Sequence, residues 1–161
     1  LELLEFTAKW SHPEYPPAQV KPEGLKAAEA KFGVVFPTDY RIQVFSVGVP
    51  NTTLALLSGI LECEVELYEL SELHLPDEIV EQTVGWVSAG MPGNLIAIGN
   101  DSGGNSFCFN KDDLSEQAVP IAPIYYWDHG LGVAERIADS FSSWISSYLE
   151  AWSDGLDYDD F

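Results

Sequence analysis

The sequence predicts an α+β domain: helices at both ends around a strand-rich middle that forms an antiparallel or mixed central sheet. Three observations carry this. Apolar residues recur at helical spacing between Pro22 and Gly48. The pattern changes to alternation and short apolar runs between Leu61 and Trp127, and it returns to helical spacing from Ile137 to Trp152. A chain of 161 residues fits one domain, which at this size buries roughly 70% of its unfolded surface and needs no metal or disulfide staple. The expected organisation is a single domain over residues 1–161, with a Pro-rich arm at 1–21, a core at about 22–152 and an acidic tail at 153–161.

Pro13, Pro16 and Pro17 block helix continuation, so the first twenty residues are expected to form an extended arm pinned to the body by Trp10 and Tyr15. Leu25, Ala28 and Phe32 then share one helical face, with Pro22 and Glu23 suited to the first turn and Gly33 to a left-handed stop. Pro37 and Asp39 start a second helix whose apolar side is Tyr40, Val44, Phe45 and Val47, ending at Gly48. The pair reads as a helical hairpin opening the domain.

In Leu61-Glu62-Cys63-Glu64-Val65-Glu66-Leu67 the period becomes two, which predicts a strand with its apolar residues on one face and Glu62, Glu64 and Glu66 on the other. Pro76, Asp77 and Glu78 open another helix, carried by Ile79, Val80, Val84, Trp86 and Val87 and ending by Gly90. Two short strands follow, Asn94 to Gly99 and Ser106 to Asn110, joined by the Asp- and Gly-rich turn 100–105 and expected to pair antiparallel. A last strand runs from about Ala122 to Trp127. Ile137, Phe141, Trp144, Ile145, Tyr148, Leu149 and Trp152 trace a covering helix.

The charge balance is extreme: 26 acids against 7 bases, a net charge of −19, and no Lys or Arg from Ile42 to Asn110. Binding of nucleic acid or an anionic membrane calls for a basic footprint, so both are excluded as expected partners, and a basic protein is favoured. The apolar runs fall far short of the roughly 20 residues of a membrane helix, and no basic-then-apolar leader pattern opens the sequence, so a cytoplasmic protein is expected. Cys63 and Cys108 lack C-x-x-C spacing and sit within alternating apolar runs, which predicts two shielded, reduced thiols.

Three segments together resemble a known family. Glu29, Gly33 and Phe36-Pro37-Thr38-Asp39-Tyr40 are similar to its opening pattern, and Ile98-Gly99-Asn100-Asp101-Ser102-Gly103-Gly104-Asn105 to its central hairpin. Tyr125-Tyr126-Trp127-Asp128-His129 with Ile137-Ala138-Asp139-Ser140-Phe141 is similar to its ending. The family is the SUKH superfamily in its Smi/Knr-like branch, and the resemblance covers about Pro22 to Trp152. The sequence departs from it at Gly48-Val49-Pro50-Asn51 and in an insertion-like segment from Leu73 to Met91. The resemblance implies a non-enzymatic domain, in bacteria chiefly an immunity protein that blocks a cognate toxin, often a nuclease. The alternative it implies is a regulatory or scaffold interaction module of the cell-wall-regulator type.

No catalytic constellation is expected. Asp128 and His129 near Ser102 lack the strand-to-helix elbow that aims a nucleophilic serine, and they read instead as a strand-end cap bonding the following loop. His12, His74 and His129 are dispersed, and the 101–105 turn lacks the ligands of a calcium loop, so neither a metal nor a cofactor is expected. The candidate partner-binding residues are Glu62, Glu64, Glu66, Glu69, Asp101 and Asn105. Neighbouring carboxylates about 7 Å apart on a strand face repel by roughly 0.6 kcal/mol in water, which the fold tolerates, so a solvated face and a partner-binding face both stay open. For the tail, packing and fraying are equally compatible with Leu156, Tyr158 and Phe161 interleaved among acids.

Overall fold

In the computed structural model, which describes residues 1–161, six helices pack around a five-stranded antiparallel sheet with strands in sequence order. The α+β expectation holds. The elements are α1 (Glu2–Trp10), α2 (Pro22–Phe32), α3 (Thr38–Val47), α4 (Ala55–Glu62), β1 (Glu72–Leu73), α5 (Pro76–Ser88), β2 (Leu95–Asn100), β3 (Ser106–Asn110), β4 (Ile124–Asp128), β5 (Val133–Ala138) and α6 (Phe141–Ser147).

Alternation along the strands gives the sheet two faces. Ile96, Ile98, Phe107, Phe109, Ile124 and Tyr126 join the main core together with α1, α3 and α6 residues such as Phe6, Trp10, Tyr40, Phe141 and Trp144. The other face holds a smaller cluster of Leu95, Ala97, Cys108 and Trp127, covered by Met91 and by Trp86 of α5. The segment from Leu73 to Met91 is thus integral to the fold: it supplies α5, and Thr83 Oγ1 accepts the Ala97 N–H (2.9 Å), beside a register irregularity in the β2–β3 ladder.

Helices α2, α3 and α5 form where their caps and apolar spacing place them, and Gly33 ends α2 with φ of 70° in the left-handed region. Gly48 is required for closeness as well: at φ 92°, an added Cβ would lie 2.5 Å from the Ala18 carbonyl oxygen. The expected hairpin of α2 on α3 does not form. Helix α2 packs against α5, while α3 packs against α1 and α6, because the buried sides of α2 (Leu25, Ala28) and α3 (Tyr40, Gln43, Val44) are each satisfied by a different neighbour.

Further expectations are corrected. Residues 2–10 of the supposed extended arm are helical, since the prolines begin only at Pro13 and leave the Leu3, Phe6, Trp10 face free to be buried. Trp10 does pin this segment, its Nε1–H donating to the Tyr148 carbonyl (3.0 Å), whereas Tyr15 is exposed. The 61–67 strand does not exist. A helical face of Leu56, Gly59 and Ile60 carries α4 through Glu62, and the chain then closes local turns, Val65 N–H to the Ile60 carbonyl and Leu67 N–H to the Val65 carbonyl.

Leu61 and Cys63 are therefore exposed rather than core-facing, and Glu64 turns the chain at φ 52°. The strand ending near Trp127 is not the last: Gly132, at φ 68°, turns it into a β4–β5 hairpin. Ile137 lies on β5, and the final helix starts only at Phe141, because the Ser140 and Ser143 side chains cap each other's backbone N–H groups (3.0 and 3.1 Å). That helix ends at Ser147, with a separate 3-10 turn at Ala151–Ser153. The tail packs as far as Tyr158: Leu156 joins the core, Thr53 donates to the Tyr158 carbonyl (2.7 Å), and Phe161 is exposed.

The two thiols should behave differently. Cys108 is fully buried, which pushes its pKa up, whereas Cys63 is exposed. A bulky thiol reagent is expected to modify Cys63 in the native protein and Cys108 only after unfolding, as read by mass spectrometry of digested protein. Equal native labelling of both would contradict this placement.

Candidate partner-binding site

The β2–β3 turn is built around one carboxylate. Asp101 Oδ1 accepts the N–H groups of Gly103 (2.9 Å) and Asn105 (2.8 Å), and Oδ2 accepts the Tyr126 hydroxyl (2.5 Å). Asn105 reinforces the arrangement: its Nδ2 donates to the Tyr126 hydroxyl (2.8 Å), and its Oδ1 accepts the His129 N–H (3.1 Å). Burial first, and then the hydrogen bond to Asp101, hold the Tyr126 phenol well above its ordinary pKa, so it stays a donor.

Glu69 extends this network. Its carboxylate accepts the Ser102 N–H (2.6 Å), tying the stretch after α4 to the β2–β3 turn. On the same stretch, Tyr68 stacks on Tyr126 at 3.7 Å with the rings 4° apart, and the Tyr148 hydroxyl donates to the Tyr68 carbonyl (2.5 Å). The neighbouring Glu135 side chain of β5 is the main cause of a raised pKa at Tyr68.

The six sequence-predicted residues thus separate into two groups. Glu69, Asp101 and Asn105 come together in an internal network, with Glu69 and Asp101 buried. Glu62, Glu64 and Glu66 lie exposed at the end of α4 and in the turns after it. Period two picked out Glu62, Glu64 and Glu66, the base-free stretch Glu69, and the turn Asp101 and Asn105, but none of these carried a signal that two of the carboxylates bond backbone amides across 33 and 4 residues.

Glu66 and Tyr68 also border a cleft of about 250 Å³ that the sequence did not indicate. Its other walls are Glu135, Ile137 and Ala138 of β5 and Trp144 and Tyr148 of α6. The base at its rim, Arg136, is engaged by Asp139 (2.9 Å). This setting belongs to a wider partition of charge: residues 1–41 carry six acids and five bases, and residues 42–161 carry twenty acids and two bases.

The triad-like residues are otherwise occupied. Asp128 Oδ1 accepts the N–H groups of Gly130 (2.8 Å) and Leu131 (3.0 Å), the strand-end cap expected for it. His129 Nδ1 lies 2.6 Å from Asn105 Oδ1, so its hydrogen-bond partner is neither Asp128 nor Ser102. No group of three or more His, Cys, Asp or Glu side chains converges as a metal site, and no helix is long and apolar enough to cross a membrane.

A family model described as the SMI1 / KNR4 family (SUKH-1) matches residues 19–147, which span α2 through α6 and the whole sheet. A search of curated proteins finds no match to the chain.

If the Asp101 network holds the turn, Tyr126→Phe should cost about 1–3 kcal/mol, the penalty for a buried acceptor that loses its donor. Urea unfolding measures this. A change within about 0.5 kcal/mol, as at an ordinary surface position, would show that the hydroxyl does not support the turn.

Proposed function

The chain belongs to the SMI1 / KNR4 family (SUKH-1), and from that premise we propose that it is an immunity-type binding protein whose acidic surface occludes a basic toxin domain of nuclease type. Family membership is consistent with an immunity or protein-interaction role. The observation that carries the finer reading is the display of Glu62, Glu64 and Glu66, exposed and with no base among the residues from Ile42 to Asn110.

A nuclease holds a phosphate backbone with Lys and Arg, so its substrate site is a cationic surface. A protein with net charge −19 and an exposed carboxylate rim meets such a surface with complementary potential. The long-range field raises the encounter rate, and a few desolvated contacts then hold the complex. In this reading Glu62, Glu64 and Glu66 face the partner, while Glu69, Asp101 and Asn105 hold the scaffold that displays them. The protein acts by covering a site rather than by turnover. The bonding of Asp128 and His129 to the turn backbone and to Asn105 supports that reading. A cytoplasmic setting suits the exposed Cys63 thiol, which has no disulfide partner.

The test is a Glu62→Lys, Glu64→Lys, Glu66→Lys variant measured against the basic domain encoded by the neighbouring reading frame. All three side chains are exposed, so unfolding should change little. The low-salt association rate should fall about tenfold or more, and the difference should shrink as ionic strength rises. An unchanged low-salt association rate would remove these carboxylates from the interface.

A further inference from the structure

The sheet has two edges, and only one is closed. At β1, the Leu73 N–H reaches the Pro50 carbonyl (3.5 Å), Asn51 bridges Glu72, and the Thr52 N–H donates to the Ser71 carbonyl (3.0 Å), so the 50–52 segment covers that side. At β5, no backbone N–H or C=O from Val133 to Ala138 has a protein partner outside its ladder with β4. The open edge is six residues, about 20 Å of extended backbone. Val133 through Arg136 are exposed along it, and the nearby Leu131 is 78% exposed.

We propose that β5 is a strand-addition site, and that its occupant is an extended basic segment of the partner protein, paired as a sixth strand. The inference rests on the acidic-capture reading above and names its mode of engagement. An unpaired edge offers a row of donors and acceptors that a second extended chain satisfies. Charge selects which chain. A second copy of this protein brings a further −19 and is repelled, whereas a segment rich in Lys or Arg is attracted.

The cleft beside the edge fits the side chains of such a segment. Its aromatic and aliphatic walls, Tyr68, Trp144 and Ile137, suit an aliphatic stem, and the carboxylates of Glu66 and Glu135 stand at its margin for the cationic head. Arg136 does not oppose this, because its guanidinium is paired with Asp139 at 2.9 Å.

Two synthetic peptides of equal charge test the proposal. One alternates Lys with Val and can extend as a strand; in the other, Gly and Pro replace Val. The alternating peptide should bind about tenfold more tightly at matched ionic strength, the increment expected of one or two additional hydrogen bonds. It should also slow hydrogen exchange of amides within Val133–Ala138, and methylation of its alternate backbone nitrogens should abolish the gain. Equal binding of the two peptides with β5 exchange unchanged would overturn strand addition while leaving acidic capture standing. Failure of both peptides to bind at low salt would overturn the two together.

Discussion

A buried carboxylate is costly unless donors surround it, and Asp101 is placed where the chain can supply them. Two backbone amides and the Tyr126 hydroxyl converge on it. That requirement fixes the β2–β3 turn against β4, and through the Tyr126 ring it fixes Tyr68, stacked 3.7 Å away. Glu69 repeats the solution on the Ser102 amide. The irregular stretch after α4, which has no ladder of its own, is therefore held by two side-chain carboxylates and a stacked tyrosine pair.

The placement of the acids follows from this. A chain carrying −19 must keep most of its carboxylates in water, and the few it buries are each given hydrogen-bond donors. Glu29 is a third example: it accepts the Phe36 N–H (2.6 Å) and lies 3.3 Å from the Arg41 guanidinium. Bases are concentrated in the first 41 residues, so internal compensation is concentrated there too. The rest of the surface is left with uncompensated negative charge, and that surface includes the end of α4, the cleft and the open edge of β5.

The helices with a sharp start or stop were legible in the sequence. Pro22 and Gly33 bracket α2, Pro37 and Gly48 bracket α3, and Pro76 opens α5. The β2–β3 hairpin was legible from its Asp- and Gly-rich turn. The 61–67 alternation misled because the helical face of Leu56, Gly59 and Ile60 carries α4 through Glu62, and local turns then take the Val65 and Leu67 N–H groups that a ladder would use. β5 was hidden because Ile137 stands four residues before Phe141 and mimics a helix face, while the Ser140 cap that separates them is a single-residue signal. In the candidate site, the acidic character of all six residues was visible. Which of them are buried was not, because Glu69 and Ser102 are 33 residues apart in sequence and meet only through the tertiary fold.

In the acidic-capture reading, buried carboxylates build the surface and exposed ones use it. A charge-matched comparison tests this most directly: Glu64→Gln with Glu66→Gln against Glu69→Gln with Asp101→Asn, each removing two negative charges. Unfolding midpoints and low-salt association rates with the basic partner domain are measured for both, at a temperature where both are folded. The exposed pair should slow association and leave the midpoint unchanged, while the buried pair should lower the midpoint and affect association less. If the buried pair slowed association as much as the exposed pair, the division of roles would be contradicted.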